Sequence, residues 1–167
     1  MEKILNQKKL FNEQIQKLIE NTIFGWLASL FNSLVLVIIL WGEVNKNRLL
    51  LWFLSIITIG LIRIYFQNTY KHIENTQKSL KKWENIFNVT LAASGIIWGS
   101  AAFVIFPSDS IIHQSFLAFI VGGLVAGSVG VFSVRIRSFL LYSVPVLFPL
   151  IIRFLLLGDS IHIAMGL

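Results

Sequence analysis

Long apolar runs alternate with short polar segments along this chain. A helix needs about 20 apolar residues to cross the hydrocarbon core of a bilayer. Lipid offers no hydrogen-bond partner, so a chain within the bilayer must satisfy its own backbone polar groups. The runs are too uniformly apolar for barrel strands, so each run is expected to be helical. The pattern therefore predicts five membrane-spanning helices, over residues 22–41, 49–66, 86–106, 111–134 and 139–157.

The composition agrees with a membrane protein. Hydrophobic residues make up 56% of the chain and charged residues 13%, and the mean hydropathy is +0.76. A soluble domain has about a quarter of its residues charged. The chain has 0 cysteines, which excludes disulfides, zinc–thiolate sites and thiol catalysis. We therefore predict an all-α polytopic helix bundle, whose first partner is the lipid bilayer.

The basic residues predict an orientation. Eleven of the 14 Lys and Arg residues lie before the first span, in or beside segment 67–85, or in segment 135–138. The positive-inside rule then places the N-terminus and these segments in the cytoplasm of a bacterial cell, with the protein in its inner membrane. Segments 42–48 and 107–110 would face outward. The same distribution explains the net charge of +6 without a nucleic-acid partner.

Two cytoplasmic segments have a second interpretation. Apolar positions in residues 1–20 recur at helical spacing, which is typical of an amphipathic helix on the membrane surface, although a solvated leader that only orients the first span remains the alternative. The lysines of segment 67–85 set topology, and they are also placed to attract anionic lipid. Arg63 and Arg153 lie about one helical turn from the end of an apolar run, so both are expected to snorkel to the interface.

Small residues at four-residue spacing mark two of the spans. Such spacing leaves a flat face that allows close backbone approach. We predict that small residues of the third span pack against a groove on the fourth, with a homodimer as the alternative use of that groove. The candidate helix-packing residues are Gly95, Gly99, Gly122, Gly123, Ala126, Gly127 and Gly130.

The fifth span contains Pro145 and Pro149, which share one helix face because they are four residues apart. Each proline removes a backbone donor, so we predict a bend or hinge there.

Polar side chains near the outer ends of the spans form a predicted outer rim, used for ligand capture or only for solvation. Their spacing matches no tight metal-ligand pattern, so no metal site is predicted. The sequence also lacks GxSxG, HExxH and P-loop motifs, so we expect no catalytic or cofactor-binding residue within this chain. The rim residues are Asp109, His113, Gln114, Asp159 and His162.

Residues 160–167 are apolar after their first positions, but they are too short to cross the membrane. They are typical of the first turns of a sixth helix. We therefore expect the chain to be the N-terminal piece of a longer protein.

Residues 40–167 resemble the N-terminal membrane module of many bacterial signalling proteins. In those proteins the module precedes a cytoplasmic diguanylate cyclase or phosphodiesterase (GGDEF/EAL), or a histidine kinase that is often hybrid. The elements that match are Trp98-Gly99, Phe106-Pro107, His113-Gln114, the glycines from Gly122 to Gly130, Pro145, Pro149, Arg153, Gly158-Asp159, His162 and Met165-Gly166.

The resemblance implies that a sixth helix starts at the GDxxHxAMG stretch and returns the chain to the cytoplasm, where an output domain acts in cis or in trans. The function expected from it is a sensory or input module of signal transduction, which couples an unknown stimulus to that output domain. A small transporter or permease subunit and a passive membrane anchor are the alternatives.

Overall fold

The computed structural model of the protein describes residues 22–70, 77–132 and 135–166, and these residues form six helices. Five of the helices are long and apolar enough to cross a membrane, which confirms the predicted all-α, multi-span fold and the start of a sixth helix. The helices are α1 Thr22–Leu40, α2 Lys46–Tyr70, α3 Gln77–Val104, α4 Ile111–Phe132, α5 Ile136–Leu157 and α6 Ser160–Gly166.

The long polar segment predicted over residues 67–85 is largely helical instead. Helix α2 continues to Tyr70 and α3 already begins at Gln77. Hydropathy reports only the apolar length of a helix, whereas backbone hydrogen bonding continues past the edge of the hydrocarbon. With 28 residues, α3 is about 42 Å long, against about 30 Å of hydrocarbon. The predicted leader, residues 1–20, lies outside the described residues.

The five long helices pack in a closed ring. The main contacts run from α1 to α2, α2 to α3, α3 to α5, α5 to α4, and α4 back to α1, and the short α6 lies against α5. Because successive helices reverse direction, α1, α3 and α5 begin at one end of the bundle, which we name the leader end. Helices α2 and α4 begin at the other end, which also holds α6 and which we name the tail end.

Two tryptophans tie three helices of the ring together. The Trp52 and Trp98 rings meet edge to face, with 5.1 Å between their centroids and an angle of 86° between their planes. The indole N–H of Trp52 donates to the Ile97 carbonyl at 2.9 Å, and that of Trp98 donates to Ser29 Oγ at 2.8 Å. These contacts join α1, α2 and α3 while satisfying the indole donors inside the bundle.

The outer surface of the ring is apolar. Large side chains stand exposed on every long helix, and Phe24, Phe119 and Ile136 are each more than 70% exposed. In water such a surface would favour aggregation, whereas in a bilayer it is the expected contact with lipid. The protein is therefore embedded in a membrane.

Candidate functional site

A polar cluster holds the first turn of α6 at the tail end. Gly158 ends α5 in the left-handed region, with φ of 76°, and turns the chain back toward the bundle. Asp159 then caps α6, because its Oδ1 accepts from the backbone N–H groups of Ile161 and His162, each at 3.1 Å. The cap satisfies two of the free donors of the first turn. It directs the His162 side chain inward, and His162 is only 6% exposed.

The hydrogen bonds of Gln114 determine which of its amide atoms faces His162. The Gln114 Nε2 donates to the carbonyls of Pro107 at 3.0 Å and Ser108 at 3.2 Å. Its Oε1 therefore faces His162 Nε2, and this ring nitrogen must carry a proton to donate to it. The other ring nitrogen, Nδ1, contacts the Asp159 carboxylate. Hydrogen bonds to two such acceptors require a proton on both nitrogens, so the cluster fits a His162 imidazolium beside an ionised Asp159.

The surroundings of the Asp159 carboxyl favour its ionised form. The backbone N–H of His162, followed by its side chain, lowers the pKa of Asp159 below its usual value of 3.8, while the carboxyl itself stays in solvent. On the inner side, the Phe154 ring lies 5.9 Å from the His162 ring, and Phe106 packs on Phe154 at 6.0 Å. The His162 ring therefore lies between the exposed Asp159 carboxylate and an aromatic wall.

The structure divides the predicted outer rim into two parts. Gln114, Asp159 and His162 come together as described. His113 turns away, with its Nδ1 2.7 Å from Ser110 Oγ and 3.8 Å from Glu43 Oε2. Asp109 lies exposed in the α3–α4 connection, between Ser108 and Ser110. Across residues 22–70, 77–132 and 135–166, no three metal-ligating side chains converge on one point.

The glycines predicted for helix packing also divide into two sets. On α3, a Cβ at Gly99 would lie 2.0 Å from the Pro145 carbonyl oxygen, and one at Gly95 would lie 2.7 Å from that of Tyr142. These two glycines let α3 and α5 approach at backbone distance. The virtual Cβ marks a hydrogen position, so a Cα hydrogen of Gly99 points at the Pro145 oxygen.

The prolines of α5 take part in this contact. Helix α5 runs without interruption through Pro145 and Pro149. Because Pro149 has no N–H, the Pro145 carbonyl lacks its donor within the helix, and this is the oxygen that faces Gly99. The Cα–H group of Gly99 supplies a weak hydrogen bond in place of that donor. The predicted hinge residues thus lie in the tightest interface of the bundle.

The prediction that the fourth span offers its glycines to the third is wrong. A Cβ at Gly122, Gly123, Gly127 or Gly130 would meet no atom within 4 Å, and Ala126 is exposed. The neighbour of α3 is α5, and α4 turns its larger side chains inward instead. These buried residues of α4 are Gln114, Leu117, Ile120, Val121, Leu124, Ser128 and Phe132.

Two positions in α2 have roles that the sequence patterns did not predict. Arg63 does not snorkel: it is 8% exposed, and its guanidinium carbon lies 5.3 Å from the ring centre of Phe87 and 5.9 Å from that of Phe132. Gly60 lies under the indole of Trp26, which a Cβ would meet at 1.5 Å. The sequence features that could have indicated these roles are an arginine and a lone glycine, one helical turn apart, within an apolar run.

Arg153, the other arginine expected to snorkel, also lies against an aromatic ring. Its guanidinium carbon is 4.8 Å from the centre of Phe106, and its Nε is buried without a hydrogen-bond partner among the described residues.

Polar contacts also join α3 to α5 at the leader end. Ser138 Oγ donates to Asn88 Oδ1 at 2.9 Å in a buried position, and Arg135, just before α5, forms an ion pair with Glu84 on α3. Both pairs lie beyond the glycine contact, so the two helices are joined along much of their length.

Comparison of the chain with models of protein families, with curated proteins and with solved structures gives no match.

Proposed function

We propose that this membrane protein is the sensory or input module of a bacterial signalling protein, coupling a stimulus at the tail end to a cytoplasmic output domain in cis or in trans. The observation that carries the proposal is the position of His162 between Gln114 and Asp159. This one side chain links the α3–α4 connection and α4 to the first turn of α6. The resemblance described above supports the same role, since there the sixth helix leads to the output domain.

The hydrogen bonds of the cluster suit a switch between two states, with α6 held against the bundle in one of them. While His162 is charged, it donates to both Gln114 and Asp159 and holds α6 against the bundle. A neutral imidazole carries one proton, so in that state the ring could donate to only one of these two acceptors. A bound ligand that competes for Gln114 or Asp159 would weaken the same contact. Either event favours a second position of α6, as a signal requires.

The test starts from the coding frame beyond residue 167. Where an output domain follows, or where a cytoplasmic partner co-purifies, nucleotide turnover or autophosphorylation is measured in the full assembly. We expect His162→Gln to change the output, whereas His113→Gln, a matched tail-end histidine outside the cluster, leaves it unchanged.

Two results would contradict the sensory role. Unchanged output after replacement of residues 22–166 by an unrelated membrane anchor would identify a passive anchor. Substrate-dependent flux in proteoliposomes, without any effect on an output activity, would identify a transporter subunit.

A further inference from the structure

The ring of helices encloses a cavity of about 310 Å³, within the range of about 300–1,000 Å³ for small-molecule sites. Residues from all five long helices line it. Phe24 on α1 and Gly123 and Gly127 on α4 are lining residues that are also exposed, so the cavity opens between α1 and α4. This opening faces the lipid-contacting side of the bundle. A molecule dissolved in the membrane can therefore reach the interior.

The cavity wall carries unused hydrogen-bond donors. Arg63 and Trp26 line it, and Arg63 Nε, Arg63 Nη2 and Trp26 Nε1 are buried without a hydrogen-bond partner among the described residues. Arg63 is more than nine-tenths buried. The rings of Phe87 and Phe132 contact the guanidinium but accept no hydrogen bond of ordinary strength. A buried cation in this state favours an anionic ligand.

The rest of the cavity lining favours an amphiphilic ligand over a simple anion. Apart from the Asn32 amide and a few hydroxyls, such as those of Ser29 and Ser128, the rest of the lining is aliphatic and aromatic. Exposed cations also stand at the leader end of the bundle, at Lys81, Lys82 and Arg137. Basic residues near the membrane surface concentrate anionic lipid in the adjacent leaflet.

The depth of Arg63 suits a lipid head group. Arg63 lies seven residues before Tyr70, the last residue of α2 at the leader end. That spacing corresponds to about 10 Å along the helix axis. Since α2, at 25 residues, is longer than the hydrocarbon is thick, we expect this spacing to place the guanidinium beneath the boundary between head groups and acyl chains.

We propose that this cavity binds an anionic lipid from the leaflet at the leader end. The head-group oxygens accept hydrogen bonds from Arg63 and Trp26, and the acyl chain leaves between α1 and α4 past Gly123 and Gly127. The two glycines have a use here that helix packing does not give them, because their missing side chains keep the opening clear. This site does not depend on the sensory role of the tail end.

The test is lipid retention by the purified full chain. The protein is equilibrated with mixed micelles holding equal amounts of phosphatidylglycerol and phosphatidylcholine, and retained lipid is counted by native mass spectrometry. We expect the wild type to retain phosphatidylglycerol preferentially. In Arg63→Gln the preference should fall about tenfold, since charge-assisted hydrogen bonds are lost, and Arg63→Lys should keep part of it.

A matched glycine pair separates the cavity from the fold. A Cβ at either Gly127 or Gly130 would meet no atom within 4 Å, but only Gly127 lines the cavity. We expect Gly127→Leu to lose lipid retention and Gly130→Leu to keep it, at equal melting temperatures. Equal retention by these two variants would overturn the proposal, as would an unchanged lipid preference in Arg63→Gln. Binding of inorganic phosphate that depends on Arg63 and displaces no lipid would also overturn it.

Discussion

Helices α3 and α4 each carry two glycines four residues apart, and the two helices use them in opposite ways against their neighbours α5 and α1. On α3, Gly95 and Gly99 lie against the backbone of α5. On α4, a Cβ at Gly123 or Gly127 would meet no described atom within 4 Å, and both glycines border a cavity beside α1. The spacing creates a smooth helix face in both cases. Whether that face becomes a contact or an opening depends on what the neighbouring helix presents to it.

The largest effect is expected at Gly99. In Gly99→Ala the new methyl group would stand 2.0 Å from the Pro145 oxygen, a backbone atom that moves only with the whole of α5. We expect a loss of about 2 kcal/mol or more in stability, seen as a lower melting temperature in detergent. Gly127→Ala is the matched control and should melt as the wild type does. Equal melting of both variants would remove the difference between the two helix pairs.

A smaller loss is expected at Gly60, where the obstacle is a side chain. In Gly60→Ala the methyl group would overlap the Trp26 indole, which can rotate away at a cost of about 1 kcal/mol. Trp26→Ala removes the obstacle. In a double-mutant cycle, the Gly60→Ala loss should therefore largely disappear in the Trp26→Ala background. Simple additivity of the two losses would show that the indole is not the obstacle.

The tail-end cluster extends the comparison to a contact held by charge. The lowered pKa of Asp159 means that its contribution to α6 docking is present above the ordinary value of 3.8 and is lost as the pH falls through the lowered value. A spin label at Ile163→Cys, in this cysteine-free chain, should become mobile over that interval. Asn is a comparable helix cap but carries no charge. In Asp159→Asn the label should therefore be mobile at neutral pH, with no transition on acidification.

The smallest effect is expected at the glycines that border neither a helix nor the cavity. A Cβ at Gly122 or Gly130 would meet no described atom within 4 Å, so we expect Gly122→Leu and Gly130→Leu to be accommodated. Stability and detergent-solubilised mass, measured by light scattering, should stay at their wild-type values. A lower mass in either variant would instead support the homodimer that the glycine spacing left open.

The membrane spans were predictable because a helix that crosses a bilayer needs a minimum length of apolar residues, and this length can be read directly from the sequence. The starts of α4 and α6, at residues 111 and 160, agree with the predicted ones. Helices α2 and α3 extend beyond the predicted spans, to Tyr70 and from Gln77, and hydropathy does not mark these extensions because the added turns are polar.

The partners of individual residues were less predictable, because they depend on the order of helices around the ring. Gly95 and Gly99 were recognised as packing residues, but the helix opposite them is α5, not α4. Arg63 was placed at the interface by its distance from the end of an apolar run. That distance does not say which way a side chain points, and Phe87 and Phe132, which flank Arg63, lie on helices α3 and α4.

The contact between α3 and α5 also has a consequence for biosynthesis. These helices are not consecutive, so α4 must enter the membrane before the two can meet. Until then, the glycine face of α3 lacks its partner helix, and α5 enters with a Pro145 carbonyl that has no donor in its own helix. An unsatisfied carbonyl is costly in hydrocarbon. Helix α5 therefore enters with a preference for the glycine face of α3, and this preference favours completion of the ring over release of α5 into the bilayer.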